Sequence, residues 1–158
     1  MRLTLTNIFY IGFAGAALTI SAAAAGYDNP AWPVRQVSEG VYEFTAEGKA
    51  QAINFCTGYY TADVISREEH ASNETSFGAI VKAHSVHMRD AFAARFTGDQ
   101  AARDQWTKDL TWHFANAAQY EAYQDFRDGS EQVCEDYALE NGLVDQAYMD
   151  DFFARLTG

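Results

Sequence analysis

Hydrophobic residues recur every three or four positions through most of the chain beyond residue 45, which is the period of an amphipathic α-helix. The first such stretch, about 46–70, carries Cys56 on its apolar stripe. The second follows Asn73, a typical N-cap residue, and ends at Gly98. The pattern therefore predicts two long helices, each burying one face.

The same periodicity continues through the second half of the chain. A third helix is predicted over about 99–127, where Gly129 is expected to stop it. Ser130 is then expected to cap a fourth helix over about 131–141, and Asp145 to begin a short last one. Short connections between the segments favour an all-α fold, an antiparallel bundle of four to five helices.

The stretch 26–45 lacks this period and contains both prolines of the chain. We expect it to form an extended N-terminal strap that lies against the helical bundle domain, 46–158. A short strand over 41–44 fits the local pattern, but a sheet needs partner strands, and none is recognised elsewhere.

The first 25 residues have the organisation of a secretory signal peptide. Arg2 is followed by an uncharged run from Ile8 to Ala25, and the small residues Ala23 and Ala25 would direct cleavage before Gly26. The run is 18 residues long, so an uncleaved membrane anchor is the alternative. Because alanine, serine and glycine make up more than half of the run, cleavage is favoured, and we expect a periplasmic or secreted protein without stable membrane insertion.

The composition of the mature chain restricts its partners. Removing Arg2 with the signal leaves 10 basic against 22 acidic residues, a formal charge of −12. Such a surface repels nucleic acid and anionic lipid. Twenty aromatic residues remain, enough apolar area for one folded domain rather than a disordered chain.

Cys56 and Cys134 are the two cysteines, and both lie in the mature part. Since an exported protein meets an oxidising compartment, we expect them to form one structural disulfide. The bridge would close a loop of nearly eighty residues, worth about 4 kcal/mol of stability from chain entropy. No C-x-x-C redox or haem-attachment motif is present.

Three histidines form the candidate metal site. His84 and His87 share one face of the second predicted helix, and His113 lies on the inner stripe of the third. Asp90 or Asp109 could add a carboxylate ligand. No metal-binding signature motif accompanies them, so buried structural histidines are the alternative, and no cofactor is expected apart from a possible transition metal.

Aromatic residues supply a second candidate site. Most of them fall on the inner helical stripes, but Trp112, Tyr120 and Tyr123 could form a ligand or partner patch. The acidic residues Asp128 and Glu131 near Gly129 are explained by helix capping. Adjacent acids such as Glu135 and Asp136 are typical of a solvated helix face.

No catalytic motif is recognisable, because the serines lie in no G-x-S-x-G setting and no pair of acids can be placed across a cleft. The sequence therefore favours an exported, non-enzymatic domain that acts by binding another protein. The alternative function is a periplasmic carrier of a small ligand or metal, using the histidine and aromatic interior of the second and third predicted helices.

Overall fold

The computed structural model of the protein describes residues 33–69, 75–116 and 121–158; the side chains of residues 113, 116 and 121–126 are outside this description. The predicted signal peptide and the first part of the predicted strap lie outside the described residues. So does the predicted continuation of the third helix through residues 117–120.

The described part of the chain is mostly helical, which confirms the predicted fold class at that level. A β-hairpin precedes six helices in these ranges. The elements are β1 (Val34–Ser38), β2 (Val41–Phe44), α1 (Ala46–Ala50), α2 (Ala52–Glu69), α3 (Ser76–Ala94), α4 (Gln100–Asn116), α5 (Glu121–Glu140) and α6 (Gln146–Thr157).

The hairpin corrects the expectation that 26–45 is a strap without a sheet. β1 and β2 pair antiparallel, with Val34 opposite Phe44. Gly40, at a φ of 69°, closes the turn between them, a conformation that glycine adopts without steric penalty. The partner of the short strand over 41–44 is therefore the segment immediately before it, held by the turn.

Two helix starts follow their capping residues. Asp145 accepts a hydrogen bond from the Tyr148 backbone N–H at 2.8 Å and begins α6, as predicted. Thr75 caps α3 by accepting from the Gly78 N–H at 3.1 Å, whereas Asn73, the predicted cap, lies outside the described residues.

The predicted helix stop at Gly129 and cap at Ser130 are wrong, because α5 continues through both residues. The reason is close packing by the hairpin: a Cβ atom on Gly129 would lie 2.5 Å from the Tyr42 ring. Glycine at this position lets the Tyr42 ring lie directly on the backbone of α5. The residue that looks like a helix breaker therefore serves a packing contact.

α2 is the central helix of the core. It buries Phe55, Tyr59 and Tyr60 almost completely and packs mainly between α3 and α4. The Cys56 sulfur lies 2.04 Å from that of Cys134, so the expected disulfide joins α2 to α5. None of the helices in the described ranges is long and apolar enough to cross a membrane.

Candidate functional site

Two of the three predicted metal-site histidines, His84 and His87, have described side chains, and they differ in burial. His84 is buried on α3, with 2% of its surface exposed, whereas His87, one turn later, is exposed. The Tyr148 ring of α6 packs against both imidazoles, with centroid distances of 5.8 Å to His84 and 4.0 Å to His87. His113 lies in α4, and its side chain is outside the described set.

Of the three residues of the predicted aromatic patch, Trp112 alone has a described side chain. Trp112 is 53% exposed. Tyr120 and the side chain of Tyr123 lie outside the described part of the chain. The patch therefore stays a prediction.

His84 is held in one orientation from three sides. Its Nδ1 lies 3.0 Å from the Tyr148 hydroxyl oxygen, and its Nε2 lies 3.0 Å from Oε1 of Glu135. The Phe152 ring stacks on the imidazole with the two ring centroids 3.8 Å apart and the planes 9° from parallel. The imidazole edge that carries Nε2 is thus directed at α5.

Glu131 and Glu135 are the residues of α5 that meet His84. They are four positions apart, so both carboxylates project from the same helix face. One ligand atom from each of the three side chains can be chosen so that all lie within 4.8 Å of one another. We call His84, Glu131 and Glu135 the histidine–glutamate cluster.

The cluster carries concentrated negative charge. Burial raises the pKa of Glu131, and the neighbouring Glu135 carboxylate raises it further, while Arg127 and His84 act in the opposite direction. No hydrogen bond found in the described ranges engages the Glu131 carboxylate. A cation or a hydrogen-bond donor placed there would be stabilised.

Tyr60 adds an orphaned hydroxyl beside the cluster. Its ring meets the His84 imidazole edge to face, with centroids 6.2 Å apart. The hydroxyl is buried and has no hydrogen-bond partner in the described structure, which is uncommon for a buried polar atom. Burial raises the pKa of Tyr60, and the next largest contributions come from Glu135 and Glu131, so the hydroxyl lies within electrostatic reach of both carboxylates.

Asp63 organises the basic side of the same region. This carboxylate is 3% exposed and accepts hydrogen bonds from Arg67 at 2.6 Å and from Arg127 at 2.7 Å. The Ser85 hydroxyl donates a further bond at 2.6 Å. Asp63 thus links α2, α3 and α5 and pairs with both arginines.

An open cleft of about 500 Å³, which we call the main cleft, lies over these groups. Glu131 and Glu135 line its acidic side, and Arg67 and Arg127 line its basic side. α3 and α6 contribute an apolar side made of Phe77, Val81, Phe152, Phe153 and Leu156. Polar groups that converge in a partly apolar concavity are typical of a binding site.

From the sequence alone, Glu131 is expected to cap a helix and Glu135 to lie on a solvated helix face, and neither residue is expected to belong to a site. Their spacing of four residues was the available signal. It could not show that α3 places a buried imidazole against them.

Comparisons of the chain with protein-family models, with curated proteins and with solved structures find no match.

Proposed function

We propose that this protein is an exported, non-enzymatic carrier that binds a small, positively charged ligand in the main cleft. The observation that carries this proposal is the convergence of buried His84 with Glu131 and Glu135 beside an open cleft. Export is supported by the predicted signal peptide and by the Cys56–Cys134 disulfide, which suits an oxidising compartment.

The charges around the main cleft favour a cation. The two arginines that line it are both engaged by Asp63, so their charge is already partly neutralised. Among the described residues, no arginine or lysine forms an ion pair with the carboxylate of Glu131 or Glu135. A positively charged group facing them would relieve their mutual repulsion.

Native mass spectrometry of the tag-free protein, purified from its own host without unfolding, tests the carrier function. We expect a bound species on the wild type that is lost from the double variant Glu131→Gln with Glu135→Gln. The control is Asp104→Asn, which removes an exposed carboxylate on α4 and should retain the species. A wild type without any bound species, or a double variant that keeps it, would contradict the carrier function.

A second candidate function is binding of another protein, as the sequence favoured. Phe77 and Phe153 are 58% and 48% exposed, and both line the main cleft. Exposed aromatic residues that flank a concavity are common in interfaces.

Pull-down from a periplasmic extract tests the second function. Capture of one partner that is lost with Phe77→Ser and Phe153→Ser would support it. Val37→Ser is the control, because Val37 is 49% exposed on the hairpin, outside the main cleft. Identical capture by all variants, or no capture, would count against protein binding.

A further inference from the structure

We propose that His84, Glu131 and Glu135 form a binding site for a single divalent transition-metal ion, with zinc as its representative. The inference rests on the proposed carrier function and deepens it, since the positive charge that enters the main cleft is then the metal ion. Four features of the region support this site: the spacing of the ligand atoms, the orientation of the imidazole, the orphaned Tyr60 hydroxyl and the chemistry of the donor set.

The ligand atoms are already close to the spacing that a metal requires. Zinc bonds to imidazole nitrogen and carboxylate oxygen are about 2.0–2.2 Å long, so ligand atoms on a tetrahedral ion lie about 3.4 Å apart. The three candidate atoms lie within 4.8 Å of one another. Rotations about the side-chain bonds of the two glutamates can close this difference without moving the backbone of α5.

His84 has the orientation of a metal ligand. Metal-binding histidines commonly engage the second ring nitrogen in a hydrogen bond, which fixes both the ring and its tautomer. Here Nδ1 can donate to the Tyr148 hydroxyl oxygen, and Nε2 is then the nitrogen with the free lone pair. Without an ion, the 3.0 Å contact from Nε2 to Oε1 of Glu135 requires a proton on one of these two atoms, and metal binding would displace that proton.

Tyr60 supplies an independent sign that a group belongs in this region. Its hydroxyl is the one buried side-chain polar atom without a partner among those the structure describes. Three protein ligands leave a fourth position for water on a tetrahedral ion. Since the Tyr60 and His84 ring centroids are 6.2 Å apart, a water on the ion is a candidate partner for this hydroxyl.

The donor set discriminates between metals. One imidazole nitrogen and two carboxylates suit zinc and its neighbours among the divalent transition metals. Calcium takes six to eight oxygen ligands, and magnesium prefers octahedral oxygen coordination that retains several waters. We therefore expect zinc and cobalt to bind and calcium and magnesium to bind far more weakly.

Isothermal titration calorimetry of the tag-free, chelator-treated protein with zinc chloride tests the site. We expect one zinc ion per chain, with affinity lowered about 100-fold by Glu131→Gln or His84→Gln. His87→Gln is the matched control, because it removes an exposed imidazole outside the cluster and should bind zinc like the wild type. Circular dichroism of each variant shows whether it folds, and Glu131→Gln preserves the side-chain volume if His84→Gln does not fold.

Cobalt provides a second measurement, because its visible absorption reports ligand number and geometry. A tetrahedral cobalt spectrum that is present in the wild type and lost in Glu131→Gln supports the site. The site is overturned if the folded wild type shows neither a heat of zinc binding nor a tetrahedral cobalt spectrum. It is also overturned if His87→Gln lowers the zinc affinity as much as Glu131→Gln does. If native protein carries an organic cation but binds no metal, the metal site fails while the carrier function stands; if it carries nothing and binds no metal, both fail.

Discussion

Neutralising Asp63 should destabilise the protein strongly, since this buried carboxylate connects three helices. The substitution Asp63→Asn keeps the shape of the side chain and removes its charge. Hydrogen bonds to charged groups each contribute about 1.5–3 kcal/mol net, and removing one partner of a buried ion pair costs about 3–5 kcal/mol. The structure gives Asp63 three such bonds, from Arg67, Arg127 and Ser85.

Solvent exposure of the two arginines reduces the loss of stability that is expected for Asp63→Asn. Their side chains are 22% and 28% exposed, so each guanidinium can recover part of its hydration after the substitution, and the carbonyl oxygen of the introduced amide can still accept one neutral hydrogen bond. We therefore expect a loss of about 3 kcal/mol in the free energy of unfolding. For a domain of this size, that corresponds to a fall in Tm of about 10 °C.

Urea denaturation followed by far-ultraviolet circular dichroism measures the effect, with an unchanged m value expected. The control is Glu43→Gln, which breaks the exposed ion pair with Arg35 and should change the free energy of unfolding by less than about 1 kcal/mol. A loss for Asp63→Asn no larger than that of the control would refute the reasoning. It would mean that the two arginines hold the helices equally well without the central carboxylate.

Three further predictions concern stability. Replacing Cys56 and Cys134 together by alanine should lower the free energy of unfolding by about 4 kcal/mol, because the disulfide closes a loop with a sequence separation of 78; urea denaturation checks this. Gly58→Ala should cost about 1–3 kcal/mol in the same assay, since its Cβ would lie 2.8 Å from that of Trp106; an unchanged midpoint would contradict this. In metal-free buffer, Glu131→Gln should raise the Tm at neutral pH. Because the pKa of Glu131 is raised in the folded protein, the stability of the wild type falls as the pH rises through that pKa. The difference in Tm between the variant and the wild type should therefore disappear below about pH 4, where the carboxyl is protonated in both the folded and the unfolded protein. A difference in Tm that does not change with pH would count against this prediction.

The helices could be predicted from the sequence because their hydrophobic period is regular. Gly129 could not be interpreted correctly, since glycine within a helical pattern usually signals an end and the reason for its presence is a distant ring, that of Tyr42. The hairpin had a local signal in Gly40, a residue suited to a tight turn. A glycine alone does not show that the segment before it pairs with the segment after it.

The residues of the candidate site could also be predicted only in part from the sequence. His84 could be selected from the sequence as a residue on an inner stripe. Its pairing with Glu131 and Glu135 depends on how α3 and α5 are placed against each other, and no spacing in the sequence encodes that arrangement. Burial also changes what an acid does, so residues that resemble a solvated helix face in the sequence line a cleft in the structure.

The position of Cys134 has a consequence for recognising other proteins of this kind. Cys134 lies between Glu131 and Glu135, so little more than one helical turn contains both the covalent link to α2 and the two carboxylates. This gives the short signature Glu-x-x-Cys-Glu, with a distant first cysteine and a histidine between the two cysteines. Chains that share this signature would be candidates for the same site even where the rest of their sequence has diverged.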